Sequence, residues 1–361
     1  MPNRTGREAV PTETPCAAAA EATVKCLVWD LDNTIWKGVL LEDERVRLRP
    51  GIRAVLETLD RRGILHSLAS RNEVEPVMAK LGALDLTRYF LHPQIGWMAK
   101  AVSIQTIAER LNIGLDAVAF IDDDPFERDS VRSALPQVRV FDAREAARLP
   151  ELPAFSPRFT TEDARRRREM MQGDIERNQA EQEFGGPREE FLAGLGMRFT
   201  LGSAGAGDLA RAEELTVRTH QLNSTGYTYS CDELERLRSS PEHWLLMAEL
   251  EDRYGSYGKI GLALVAREER LWTIRLLLMS CRVMSRGVGT ILLQHILAAA
   301  LRAGARLQAE FIPTKVNRQM YVTFRFAGFA EVGRRGAALL LEADFSQMPA
   351  VPPYIDVIAG P

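Results

Sequence analysis

The sequence predicts an α/β protein of two domains. Three observations carry that prediction. Short apolar runs alternate with amphipathic stretches from Val24 to Leu149, a charged stretch punctuated by prolines follows, and a second set of strand and helix patterns fills 196–345. A chain of 361 residues is long enough for two cores. Its 46% hydrophobic and 26% charged residues are ordinary for a globular protein, and a net charge of -3 gives no global signal for nucleic acid or membrane.

Residues 1–22 read as a flexible tail, with charges, prolines and a short alanine run but no apolar core of a secretory signal. In the first domain, 23–149, strands are expected at 24–30, 64–69, 117–121 and 138–141, and helices near 51–62, 73–82, 100–111 and 125–134. The stretch 150–195 reads as a linker. Pro150, Pro153 and Pro157 lead into "TTEDARRRREMMQGDIERNQAEQEFGG", a charged helix closed by Gly185, Gly186 and Pro187, with the run Arg165 to Arg168 on a solvated face.

In the second domain, 196–345, strands are expected at "MRFTLG", "WLLMAEL", "KIGLALVARE", "RLWTIRLLLM" and "ARLQAEFI". Helices are expected at "VGTILLQHILAAALRAG" and "KVNRQMYVTFRFAGF", and residues 346–361 read as a tail. The most apolar stretch, "LWTIRLLLMSCRVM", contains Arg275 and Arg282 and is shorter than the roughly 20 residues a span requires, so no membrane is expected. Cys16, Cys26, Cys231 and Cys281 lack metal-ligand spacing and are too few for a disulfide scaffold, which predicts a reducing, cytoplasmic setting.

The chemistry begins in "CLVWDLDNTIWKG". Strand alternation points Asp30 and Asp32 the same way past the carboxyl end of a buried strand, where open α/β sheets bind ligands. Thr34 is read as fixing the turn that carries Asp32, and "IWKGVLLEDER" as a small flap with Trp36 packed beneath it. Three more polar points fall at the same sheet edge: Ser70 after a strand, Lys100 opening a helix, and Asp122, Asp123 and Asp124 ending a strand. A carboxylate nucleophile, a second acid, a hydroxyl, an ammonium and a hard cation held by aspartates are the parts of phosphoryl transfer. Asp124, directly before Pro125, is expected as a helix N-cap.

This set, in this order over 24–142, resembles the haloacid dehalogenase superfamily of aspartate-dependent phosphotransferases, which have a Rossmann-like fold. The resemblance implies Asp30 as nucleophile and Asp32 as general acid/base. Ser70 and Lys100 would clamp the phosphoryl group. Mg²⁺ would be bound by Asp30, by the backbone of Asp32, and by Asp122 or Asp123. The short flap implies a minimal cap.

Further motifs, "SRNE", "FIDDDPFER", "THQLNSTGYTYS", "LLLMSCRVMSRGVG" and "IPTKVN", make the whole of 20–345 similar to the FkbH-like family, in which such a domain is fused to an N-acetyltransferase-like domain. That resemblance implies Mg²⁺-dependent dephosphorylation of 1,3-bisphosphoglycerate and delivery of a glyceryl group to the phosphopantetheine thiol of an acyl carrier protein, for polyketide extender units or tetronates. A plain magnesium phosphatase with a substrate-recognition domain and a non-catalytic carrier-binding module are the competing readings.

The second domain departs from an ordinary acetyltransferase. A glycine loop opening a helix suits an anion, and Arg286, Gly287 and Gly289 are the candidate cofactor-binding residues, but Met284 stands where such loops carry Gln or Arg. In the terminal pattern Asn317, Phe324, Gly328, Phe329, a phenylalanine replaces the usual tyrosine acid, with Tyr321 one turn away. Cys281, beside Arg282 and near Arg286, is the candidate thioester nucleophile, and His220 in "HQLNSTG" its candidate base; Cys26 reads as core. Which cysteine holds an acyl group stays open at this point.

Overall fold

The computed structural model describes residues 23–43, 45–284 and 286–360, so the expected tail at 1–22, Cys16 included, lies outside the described residues. The chain divides into two compact units at Arg158 and Phe159.

The first unit carries β1 (Cys26–Trp29), β2 (Trp36–Lys37), β3 (Arg47–Leu48), β4 (Leu65–Ser70), β5 (Gln94–Ile95), β6 (Val118–Asp122) and β7 (Arg139–Asp142). Five of these form a sheet in the order β5-β4-β1-β6-β7, every pair parallel. Helices Ile52–Arg61, Val74–Ala83, Lys100–Leu111 and Pro125–Ala134 follow the strands, as the alternating pattern predicted. β1 is buried along its whole length because helices cover both faces of a parallel sheet. All carboxyl ends therefore lie on one edge, with β1 between β4 and β6. The flap is the two-stranded β2–β3 ribbon, in register Trp36 to Leu48.

The second unit holds β8 (Met197–Ser203), β9 (His243–Asp252), β10 (Gly255–Arg267), β11 (Leu271–Met279), β12 (Arg306–Phe311), β13 (Phe329–Arg335), β14 (Ala338–Ala343) and β15 (Ile355–Ala359). Their order is β13-β14-β12-β11-β10-β9-β8-β15. β11 and β12 are parallel and paired only from Leu271 to Ile274, and beyond that point they separate. Helix Ile291–Arg302 packs into the larger apolar core, and helices Leu209–Arg218 and Cys231–Ser239 cover the other face.

Two boundary expectations need correction. The stretch 150–195 is not a linker. Ala154 and Phe155 belong to the first core, with Val24 N–H donating to Ala154 O at 2.9 Å. Helix Arg167–Glu183 packs into the second unit. Its Arg177 is 1% exposed and grips Asp252 with Nε and Nη2 at 2.6 and 2.8 Å. Gly173 permits the close approach, since a Cβ there would lie 2.8 Å from Tyr254 O. Within the arginine run, Arg165 and Arg166 are exposed, but Arg167 turns inward to Glu214 at 2.8 Å.

The second correction concerns 346–361, which is not a tail: β15 pairs in parallel with β8 from Ile355–Met197 to Ala359–Leu201.

Removing one partner of a buried pair strands the other's charge. Arg177→Met should therefore lower stability by about 3 kcal/mol, read as a fall in the urea midpoint of the second unit's transition. An unchanged midpoint would show that the helix is not anchored by this pair.

Candidate active site

Asp30 directly follows β1 and its N–H is held by Ile121 O at 3.0 Å, so the neighbouring strand sets where the carboxylate starts. The residue is 5% exposed. Lys100, the first residue of its helix and also buried, donates to Asp30 Oδ1 at 2.7 Å and to Asp122 Oδ2. Carboxylate oxygens of Asp30, Asp122 and Asp123 lie within 4.8 Å of one another. Burial pushes the Asp30 carboxyl up to about 7, a rise that Lys100 opposes and Asp122 reinforces. Burial alone would lower the Lys100 ammonium, but the two facing carboxylates outweigh it and hold it above its ordinary value. Burial, then the charge of Asp122, also raises Asp123.

Three crowded carboxylates, two of them buried, face one ammonium and leave negative charge uncompensated. The donor set is oxygen alone, without sulfur or imidazole, and it suits a hard divalent ion. Mg²⁺ is the cofactor that fits: Asp30, Asp122 and Asp123 would hold it, and it would supply the positive charge that lets a carboxylate approach a phosphate. The choice left open between Asp122 and Asp123 resolves to both carboxylates lying within reach.

Around this cluster the loops are tied together. Thr34 does more than shape its own turn, because its Oγ1 accepts from Asp123 N–H at 3.1 Å and joins the β1 loop to the β6 loop. Asp124 caps its helix, accepting from Phe126 N–H at 2.9 Å as expected. Arg128 donates to the carbonyls of Asp122 and Asp123 at 2.9 and 2.7 Å. Ser70, the last residue of β4, is buried at the same edge. Asp32 sits at the rim with Oδ1 accepting from Trp36 Nε1 at 2.7 Å and Leu40 N–H at 3.0 Å, and Oδ2 accepting from Asn72 Nδ2 at 3.0 Å. Trp36 packs beneath the flap, fully buried, as expected; its indole N–H bond and the role of Asn72 were not foreseen.

In the second unit the edge of β11 left by the divergence from β12 is not open. Ser224 N–H donates to Leu277 O, Met279 N–H to Leu222 O, and Ile312 N–H to Ser224 O, at 2.9, 2.9 and 2.8 Å. Asn317 Nδ2 binds Asn223 O and Ile312 O. The residues 222–224 thus act as a short inserted strand between β11 and β12.

Asn223 bridges Leu278 in antiparallel register; His220 lies before a turn at 221–222, and Cys281 opens a 3-10 turn after β11 ends at Met279. His220 and Cys281 are exposed. Cys26 is fully buried, and burial pushes its thiol far up; Cys231 is half-buried at a helix start.

Of the two arginines expected beside Cys281, Arg282 stays within electrostatic reach of it. Arg282 donates to Tyr257 O at 2.7 Å, and Arg286, 4% exposed, donates to Glu181 at 2.8 Å. Both guanidinium groups are drawn inward by acceptors on the sheet and on the charged helix. Arg286 is thus paired with the charged helix, with its Nε left unpartnered among the described residues. Gly287 takes φ 78°, and a Cβ on it would meet Tyr354 Oη at 2.6 Å, so the loop is overlaid by the segment leading into β15. Gly289 has open space around it. Tyr321 points its hydroxyl at Glu331, 2.6 Å away, and Phe324 is buried in the core.

Parts of the chain are similar to a phosphatase and, at low identity, to solved N-acetyltransferase structures. Over 119 residues it is 29% identical to magnesium-dependent phosphatase 1 of Homo sapiens, a match spanning 28% of this chain and 68% of that protein. The N-terminal part of a Bacteroides fragilis protein, containing a phosphatase domain and crystallised with Mg, is 34% identical, with a TM-score of 0.29; the match covers 37% of this chain and 38% of that one. The ribosomal-protein-S18-alanine N-acetyltransferase of Escherichia coli is 15% identical, with a TM-score of 0.32, over 42% of this chain and 96% of its own. No family model matches the chain. Among the described residues no helix is long and apolar enough to cross a membrane.

Proposed function

We propose that the protein removes phosphate from a phosphorylated three-carbon acid, 1,3-bisphosphoglycerate, and passes the glyceryl group to the phosphopantetheine thiol of an acyl carrier protein. The observation that carries this reading is the pairing of a carboxylate and lysine cluster suited to phosphoryl transfer with a second domain that exposes Cys281 while its own residues fill the neighbouring strand edge.

At the phosphatase-like domain, an Asp30 oxygen attacks phosphorus and the bond from phosphorus to the C3 oxygen breaks, with Asp32 giving that oxygen its proton. Water then attacks the aspartyl phosphate, Asp32 takes back a proton, and Asp30 is restored. Lys100 and Ser70 hold phosphoryl oxygens. At the transferase-like domain, the Cys281 sulfur attacks C1 and the bond to the C1 phosphate breaks, the thiol proton passing to His220. The carrier thiol then displaces Cys281, which recovers a proton.

Incubation with 1,3-bisphosphoglycerate, Mg²⁺ and a phosphopantetheinylated carrier should give an acylated enzyme and then a glyceryl carrier by intact mass. Phosphate release without any acylated species would leave a plain phosphatase with a recognition domain, and neither event would leave a binding module.

The pyrophosphate of free coenzyme A, which a carrier's arm lacks, would seek the glycine loop. Tyr354 overlies that loop. Acetyl-coenzyme A is therefore expected neither to bind in calorimetry nor to acylate a carrier. Efficient acetyl transfer without phosphate release would overturn the proposed donor.

A further inference from the structure

Asp32 is the acid whose aim decides whether a poor leaving group departs, and three N–H groups fix it. Two of them, Trp36 Nε1 and Leu40 N–H, converge on Oδ1 at 2.7 and 3.0 Å. Both belong to the flap, where Trp36 opens β2. The third, Asn72 Nδ2, reaches Oδ2 at 3.0 Å from just beyond β4. Asn72 is itself held, 1% exposed, with its Oδ1 accepting from Glu73 N–H at 3.0 Å. Trp36 is fully buried, so its indole N–H cannot trade this bond for water without disturbing the packing.

The two oxygens are consequently unequal. An oxygen already accepting two N–H donors has no lone pair left for a proton. Oδ2 accepts one donor and keeps a lone pair, and the carboxyl lies at the partly exposed rim of the site.

We infer that Trp36 and Asn72 are positioning residues for proton transfer by Asp32, and that Oδ2 is the oxygen that carries the proton. In the first step the Oδ2–H bond breaks as the leaving oxygen takes the proton and its bond to phosphorus is lost. In the second, a proton of the attacking water returns to Oδ2 as the aspartyl phosphate on Asp30 opens. The flap thus aims the acid, besides covering the nucleophile. This inference rests on the phosphatase reading of the site.

The two ideas separate experimentally through the leaving group. p-Nitrophenyl phosphate releases a phenolate that needs no proton, whereas glycerol 3-phosphate releases an alkoxide that does. For Trp36→Phe and for Asn72→Ala, the single-turnover rate of glycerol release from glycerol 3-phosphate should fall about 10-fold or more, part of the 10²–10⁴ that proton transfer contributes. The burst rate of p-nitrophenolate release, which precedes the step that returns a proton to Asp32, should stay within about 2-fold of the parent.

Equal losses on both substrates in a variant that melts like the parent would mark a merely structural role and overturn the inference, as would no loss on either. If Trp36→Phe melts early, Asn72→Ala decides alone. Asp30→Asn run alongside tests the reading beneath: retained turnover in that variant, or a parent that hydrolyses neither probe, removes the phosphatase assignment and this inference with it. A selective loss at Trp36 or Asn72 cannot arise from that failure.

Discussion

Asp30→Asn is expected to reduce Mg²⁺-dependent phosphate release by on the order of 10³-fold or more, since removing a nucleophile costs at least that in comparable enzymes. An amide lacks the charge and basicity to form the phosphorylated intermediate, and it cannot replace a carboxylate opposite Lys100. The same substitution removes a carboxyl that burial already disfavours in its ionised form, so the metal-free fold should melt no lower than the parent. Mg²⁺ should raise the melting temperature of the parent, because a ligand that binds only the folded state stabilises it, and should raise that of the variant much less. A variant that retains metal-dependent turnover would show that another group is phosphorylated, and an undiminished thermal response would place the ion away from Asp30.

Cys281→Ser should abolish both the acyl-enzyme mass and carrier loading while sparing phosphate release from p-nitrophenyl phosphate. The substitution is structurally mild at an exposed position in a short 3-10 turn, so a loss would report chemistry. A hydroxyl is a weaker nucleophile at neutral pH and leaves less readily from an ester than a thiolate leaves from a thioester. Arg282 lies within electrostatic reach of Cys281 but cannot accept its proton, so with His220 as the proposed base His220→Ala should slow acylation without changing phosphatase turnover. A fully active Cys281→Ser protein would move the acyl group off this residue. Cys26, buried and with a thiol raised by that burial, would then have to become accessible to serve.

The phosphatase-like site was legible because its parts are set by local structure. Asp30, Ser70, Lys100 and Asp122 each stand at a strand end or helix start, and parallel pairing brings those ends to one edge without further information. What holds Asp32 was not legible in the same way. The indole bond depends on the register of the flap, and Asn72 arrives from a separate strand.

The charged helix misled for a related reason. Its composition suggests solvent on all sides, and only the distant Asp252 and Glu214 show that Arg177 and Arg167 are interior. In the second unit the glycine loop was recognisable, whereas its covering by Tyr354 and the inward turn of Arg286 depend on elements far away in sequence. The inserted strand at 222–224 gave no strand signal, because its pairing is confined to one bridge and a few backbone bonds.

Pairing of β15 with β8 makes the order of synthesis matter. β8 is among the first strands of its unit to leave the ribosome, yet its outer partner is made only after every other strand of the sheet has been translated. Until then β8 is an unpaired edge of alternating character, with Met197, Phe199 and Leu201 on its inward face, the kind of edge that recruits other nascent chains. The growing polypeptide is consequently most exposed to aggregation in the interval before residues 355–359 emerge, and a chaperone that shields β8 over that interval would act on folding yield without touching either chemical centre.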